Sequence, residues 1–263
     1  MKANPTKGYV IVATKRKSYL QCGSNLAESI LDNYPEAKIT LFTQQDFIDN
    51  YSEYFKPFDK VLPTPSDTNR EKMYGMWKTP YDHTFYIDAD CEVVHPDIKN
   101  VFDHLDGHDM AWVNLTKDGA KVFAEWNWGP NLYDDGWRGV PDHLAHCGGV
   151  CLYDASNPLV REFMKDWYEL YFKQRDGMWN PKEFDSIKKG NFRQWDQLTI
   201  WWLIYHSPKY KNIKWKFFED NYRWNYFSSF GFNPNGSHNL NTVDPVVIHY
   251  SAWLDKFGKK GYL

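Results

Sequence analysis

The chain has 263 residues, enough to bury a sizeable core as one large domain with an elaborated end, and aromatic residues make up 18% of it. Its longest apolar stretch, LTIWWLIY at 198–205, is too short to cross about 30 Å of hydrocarbon as a helix, and its four cysteines form neither a CxxC pair nor a disulfide framework. The net charge of −3 conceals an asymmetry: residues 188–263 carry eleven Lys/Arg against five acids, or +6, which leaves −9 for residues 1–187.

A basic C-terminal third implies either a solvated face or an anionic partner such as a phosphate, a nucleic acid or an acidic glycan. The opening MKANPTKGYV lacks an apolar secretory core. The expectation is therefore a soluble, cytoplasmic protein with no stable membrane insertion. Cys22, Cys91, Cys147 and Cys151 read as reduced thiols, and Cys147 with Cys151 would need two further partners to hold zinc.

In chain order, GYVIVAT (8–14) reads as a strand and SNLAESILDNY (24–34) as a helix with Leu26, Ile30 and Leu31 at helical spacing. ITLFT (39–43) and KVLP (60–63) are short strands, REKMYGMWK (70–78) a helix, and TFYIDAD (84–90) a strand. MAWVNL (110–115) and GVCLYD (149–154) are further strands, separated by an aperiodic stretch, 123–143, rich in Gly, Trp, Asp and Pro. A loop of that length is usually functional, and its Trp126, Trp128, Tyr133, Trp137 and Arg138 suit either a sugar-stacking lid or loop packing. PLVREFMKDWYELYFKQ (158–174) is an amphipathic helix with Leu159, Phe163, Trp167 and Leu170 on one stripe; DQLTIWWLIYH (196–206) is apolar all round and reads as buried; PVVIHY (245–250) is a last strand. Strands alternating with helices predict an α/β fold with a mainly parallel sheet covered on both faces.

The chemistry concentrates at HTFYIDADCEVV, 83–94, where Asp88 and Asp90 end an uncharged run. Ligands of open α/β sheets bind beyond the carboxyl ends of the strands. Two neighbouring carboxylates there raise each other's pKa unless a cation lies between them, and a hard divalent ion, Mn²⁺ or Mg²⁺, removes the conflict. His249, at the end of VVIHY, reads either as a core residue or as a third ligand.

In this order, YVIVATKRKSYLQCGSNLAESIL, REKMYGMWKTPYDHTFYIDADCEVV, HCGGVCLYDAS, WDQLTIWWL and VIHYSAWLDKFG resemble the GT-A fold glycosyltransferases of the glycogenin and lipopolysaccharide galactosyltransferase type. The resemblance implies a single domain over 1–263, with a nucleotide-sugar part at about 8–115 and an acceptor part at about 116–263. It implies Asp88, Asp90 and His249 as metal ligands and Tyr19, Thr14, Lys72, Ala89 and Lys256 against a nucleotide-diphosphate sugar, Tyr19 stacking on the base. Asp196 and Gln197 would flank the transferred sugar, with Lys72 assisting catalysis, and transfer from a UDP-sugar would retain configuration. An inverting enzyme would instead need a carboxylate base, and Asp196 serves there, in holding the sugar, or as a helix cap. The chain departs from the family at Cys147, where Asn is usual, and in its ending, where Lys256 is displaced and Lys259 and Lys260 are the alternatives.

The resemblance leaves the acceptor open among a glycan, a protein and a modified nucleobase. KKGNFRQW (188–195) and KYKNIKWK (209–216) interleave basic and aromatic residues, as single-strand binders do. They support the competing reading of a nucleic-acid-binding protein, or of a transferase acting on hydroxymethylated bases of viral DNA. A nucleotidyltransferase would share fold and metal but normally shows a Gly-rich phosphate loop, which Cys22-Gly23 is not.

Overall fold

A computed structural model describes residues 4–114, 146–186, 195–227 and 244–250. Ten strands are present among them: β1 (Lys7–Val12), β2 (Ile39–Thr43), β3 (Lys60–Pro63), β4 (His83–Ile87), β5 (Cys91–Val93), β6 (Met110–Asn114), β7 (His146–Asp154), β8 (Trp215–Phe217), β9 (Tyr226–Phe227) and β10 (Val247–His249). The helices are α1 (Lys17–Asn33), α2 (Gln45–Asn50), α3 (Lys72–Trp77), α4 (Pro158–Arg175), α5 (Asp196–Tyr205) and α6 (Asn221–Trp224). Seven strands form one sheet in the order β3-β2-β1-β4-β7-β6-β8, and a second sheet has the order β5-β10-β9. The large sheet is parallel from β3 to β4; β7 runs antiparallel to both β4 and β6, and β8 is parallel to β6.

The central strands are apolar on both faces because both faces are covered. Tyr9 and Ile11 of β1 belong to the core layer shared with α1 and the 3₁₀ segment Pro96–Leu105. Val10 and Val12 belong to the layer shared with α3, α4 and α5. Such continuous β-branched and aromatic runs are what a doubly covered parallel sheet requires. Large side chains fill both layers, Phe85 and Phe218 on one and Trp112 and Trp167 on the other, all essentially inaccessible to water.

Several expectations shift in detail. α1 starts seven residues before Ser24, because Leu20 and Cys22 extend the same buried face as Leu26, Ala27 and Ile30. On α4 the buried stripe is Val160, Phe163, Met164, Trp167 and Tyr171, while Leu159 and Leu170 are only half-buried. Asn157 fixes that start: its side chain accepts a 3.0 Å bond from Leu159 N–H, with Pro158 at the first helical position. The strand ending at Asp90 is shorter than its apolar pattern suggested. β4 stops at Ile87, and 88–91 form a turn closed by Cys91 N–H on the Asp88 carbonyl at 3.2 Å. The strand 245–250 is β10 of the small sheet, pairing antiparallel with β5 immediately after the turn.

β7 carries an irregularity that the sequence pattern does not reveal. Trp112 of β6 pairs with Cys151 while Asn114 pairs with His146, so β7 holds three extra residues against β6. The surplus falls at Cys147-Gly148-Gly149-Val150, a bulge where glycines permit backbone that a side chain would obstruct.

Close approach also explains Gly75 in α3. A Cβ there would sit 2.5 Å from Val12 Cγ2 and 3.2 Å from Phe42 Cδ2. Gly75→Ala is expected to destabilise the chain by about 1–3 kcal/mol through overpacking, read as a lower urea midpoint with an unchanged slope; an unaltered midpoint would refute the tight α3–β1 contact.

Candidate active site

The site lies at the carboxyl ends of β1 and β4. A cleft of about 150 Å³ is lined by Val12, Thr14, Tyr19, Asn69, Arg70, Lys72, Tyr86, Asp88, Ala89 and Asp90. Six of the sequence-designated residues (Thr14, Tyr19, Lys72, Asp88, Ala89 and Asp90) therefore line one cleft. Thr14 Oγ1 donates to the Thr68 carbonyl at 2.9 Å, tying the end of β1 to the loop that carries Arg70 and Lys72. Half-buried Tyr19 reaches the cleft from the first turn of α1.

Asp88 and Asp90 occupy a tight turn after β4, not the end of an extended strand. Asp88 N–H donates to the Gly149 carbonyl at 2.8 Å, and the Asp88 carboxylate accepts from the Tyr86 hydroxyl. Burial, reinforced by Asp90, raises the Asp88 pKa against the opposing pull of Lys72. Asp90 behaves oppositely: burial pushes its carboxyl up, but His249 overcomes this and holds it below the usual range.

His249 is 5% exposed, and its Nε2 lies 3.3 Å from Asp90 Oδ1. Its Nδ1 is 2.9 Å from Asn225 Oδ1, and Asn225 Nδ2 in turn donates to Cys147 Sγ at 3.1 Å. With a carbonyl oxygen as partner, Nδ1 carries the hydrogen and Nε2 turns to the carboxylate. Burial lowers the imidazole pKa, yet Asp90 more than reverses this and leaves it above the ordinary value. A neutral Nε2 facing a carboxylate oxygen calls for a proton or a metal ion between them. Carboxylate and imidazole donors, with the remote ring nitrogen anchored, fit Mn²⁺ or Mg²⁺. Asp88, Asp90 and His249 are the residues that would hold such an ion.

Opposite this acid group stand two cations. Lys72 Nζ lies 2.8 Å from Asp196 Oδ2 and 3.1 Å from the Gly148 carbonyl; Arg70 NH1 lies 3.0 Å from the same Asp196 oxygen and its guanidinium 5.7 Å from the Tyr171 ring. Asp196 is fully buried at the first residue of α5, with Trp195 in the cap position. Its carboxylate therefore serves the two cations instead of capping the helix. Burial pushes the Asp196 pKa up, but Lys72 and then Arg70 outweigh this and bring it down to about 2. Among the described residues its second oxygen, Oδ1, has no hydrogen-bond partner, although it is buried. Gln197 is half-buried and does not line the cleft.

The bulge in β7 adjoins both halves. A Cβ on Gly148 would lie 3.0 Å from Lys72 Nζ, and one on Gly149 only 2.5 Å from Asp88 Oδ2 and 3.0 Å from His249 Cε1. Sequence reasoning passed over these glycines, Arg70 and Asn225. The Gly-Gly pair was visible as a signal; Asn225 offered none. Lys256, Lys259, Lys260, the loop 123–143 and the basic stretch 188–194 lie outside the described residues. In the other basic stretch Lys209, Lys211 and Lys214 are exposed, with Lys209 bridging Glu162 and Asp166 at 2.9 and 2.7 Å on the surface, while the aromatic Trp215 packs on His146 at 5.1 Å between centroids. Among the described residues no helix is long and apolar enough to cross a membrane.

No protein-family model and no curated protein sequence matches the chain. Solved structures do. The chain superposes on the glycosyltransferase GlyE of Streptococcus pneumoniae TIGR4 with a TM-score of 0.54 and 14% identity, over 94% of this chain and 55% of that one. It superposes on the galactosyltransferase LgtC, solved with donor and acceptor sugar analogues, with a TM-score of 0.52 and 13% identity over 97% and 96% of the two chains. For mouse xyloside xylosyltransferase 1 the values are 0.53 and 10%, over 94% and 98%. The chain spans about half the length of GlyE. These likenesses define the architecture: the fold is the GT-A fold of glycosyltransferases, as the order of sequence segments had led us to expect.

Gly149→Ala is expected to weaken Mn²⁺ binding at least tenfold in calorimetric titration while the chain stays folded, because the new methyl intrudes between Asp88 and His249; unchanged affinity would contradict the placement. A second outcome concerns acid. The Asp196 pKa is depressed on folding from roughly 3.9, so its contribution is complete above that pH and disappears as pH falls towards about 2. Asp196→Asn should cost about 3 kcal/mol at neutral pH by leaving two cations uncompensated and should flatten this part of the stability–pH curve, measured by urea unfolding.

Proposed function

We propose that the chain is a metal-dependent glycosyltransferase that moves a sugar from a nucleotide diphosphate, a UDP-sugar in the first instance, to a hydroxyl acceptor with retention of configuration. The observation that carries this reading is that Asp88, Asp90, Lys72 and Arg70 line one cleft of a GT-A fold, with His249 3.3 Å from Asp90. A bound divalent cation would offset the negative charge of the diphosphate as it departs.

The protein's own groups supply the rest. Lys72 and Arg70 keep their charge in the site because Asp196 stabilises both. An anionic donor can therefore draw on preformed positive charge, which acts most strongly where water is excluded. Tyr19 offers an aromatic face for the base, and Thr14 and Ala89 border the same cleft. The unpartnered Oδ1 of Asp196 is suited to accept a hydrogen bond from a sugar hydroxyl. A carboxylate whose conjugate acid has a pKa of about 2 is a weak base at neutral pH, which favours a holding role for Asp196 and retention over an inverting mechanism. Lys256 and the stretch 123–143 complete the proposal as contacts to donor and acceptor, Gln197 stands outside the cleft lining, and glycan, protein and modified nucleobase all remain within the acceptor class.

A panel of nucleotide sugars screened by thermal shift with and without Mn²⁺ tests the reading. A metal-dependent rise in melting temperature with at least one donor, lost in Asp90→Ala, is expected. His249→Ala should weaken the metal titration without unfolding the chain. Tight, metal-independent, steeply salt-dependent binding to single-stranded DNA that survives Asp90→Ala would instead identify a nucleic-acid-binding protein.

A further inference from the structure

The turn that carries Asp90 also delivers a sulfur. A carboxylate oxygen of Asp90, the Cys91 Sγ and a ring nitrogen of His249 all lie within 4.8 Å of one another. Two backbone features produce this. Residues 88–91 form a turn, so neighbouring residues 90 and 91 are not forced onto opposite faces as they would be in an extended strand. Cys91 and His249 are then directly paired across antiparallel β5 and β10, which puts their side chains on the same face. The Asp90 carbonyl accepts from Tyr250 N–H at 2.9 Å and locks turn to strand. Cys91 and His249 are 6% and 5% exposed, whereas Asp90 keeps 16% of its side chain open to the cleft, so an ion has a route in.

We propose that Asp90, Cys91 and His249 form a thiophilic metal site that takes Zn²⁺, with Co²⁺ as its spectroscopic substitute, through one oxygen, one nitrogen and one sulfur. Zinc binds such mixed sets tetrahedrally at roughly 2.0–2.3 Å, which separates ligand atoms by about 3.3–3.8 Å. The present separations, all within 4.8 Å, would have to close to that spacing on binding. On binding, the Cys91 thiol releases its proton to solvent, as a coordinating thiol does, and three protein ligands leave one position open. The inference shares Asp90 and His249 with the proposed donor-metal site and adds to it a ligand that oxygen-seeking Mg²⁺ or Mn²⁺ would not use. Zn²⁺ would accordingly compete with those ions for the same two residues. The chemistry does not depend on the glycosyltransferase reading, because the test uses metal alone.

Full-length protein stripped of metal is titrated with Co²⁺ and followed by absorption. A thiolate-to-cobalt charge-transfer band in the near ultraviolet, with intense tetrahedral bands in the visible, is expected for the unaltered chain and for Cys147→Ser and Cys22→Ser. Cys91→Ser should abolish the charge-transfer band and lower Zn²⁺ affinity at least tenfold, while Mn²⁺ affinity changes less than twofold. Absence of the band in the unaltered chain, its persistence in Cys91→Ser, or an equal fall for Zn²⁺ and Mn²⁺ would each overturn the site. If Cys91→Ser and Cys91→Ala both fail to fold, X-ray absorption of the zinc-loaded unaltered protein decides: one sulfur at about 2.3 Å supports the inference, and a shell of oxygen and nitrogen alone refutes it. A missing nucleotide-sugar response with an intact cobalt–thiolate band would reject the transferase reading and leave this one standing.

Discussion

Removal from water of three carboxylates, Asp88, Asp90 and Asp196, governs what the rest of this structure must supply. They gather at one edge of a sheet where water is scarce and like charges are costly. Two of the compensating groups, Lys72 and Arg70, serve Asp196 first. The third, His249, serves Asp90. With a protonated imidazole the six groups balance; with a neutral imidazole the set is one charge short, and Asp88, the carboxylate pushed towards protonation, feels the deficit most. A divalent ion is the natural answer to that deficit, which makes the electrostatics and the proposed chemistry parts of one argument.

The scaffold around this edge was largely readable in the sequence because its signals are local. Runs such as ITLFT and KVLP correspond residue for residue to β2 and β3, and the all-round apolar DQLTIWWLIYH is indeed a covered helix. What escaped detection depends on contacts distant in the chain. The buried stripe of α4 is offset because Trp112 and Tyr210 come to meet it, and no periodicity reports that. The turn at 88–91 was taken for strand because an apolar pattern cannot show where backbone pairing stops. Asn225 holds His249 from a different strand connection altogether, and only the fold brings the two together.

Cys147 shows how a departure from a resembled pattern acquires a local reason. The thiol stands where the sequence resemblance led us to expect Asn, and its sulfur accepts from Asn225, the residue that orients His249. Burial pushes this thiol up to about 12, so it remains an uncharged acceptor and adds nothing to the crowd of negative charge nearby.

The three-residue surplus in β7 reaches beyond its local geometry. Because its two glycine carbonyls meet Lys72 and the Asp88 amide, the pairing of the central strands and the shape of the cleft are set by the same few peptide groups. A slip of one residue would thrust a valine or a cysteine among the charges and erase the site wholesale. Errors in assembling the sheet would then yield silent molecules and not promiscuous ones, so that fidelity of folding doubles as a safeguard on chemistry.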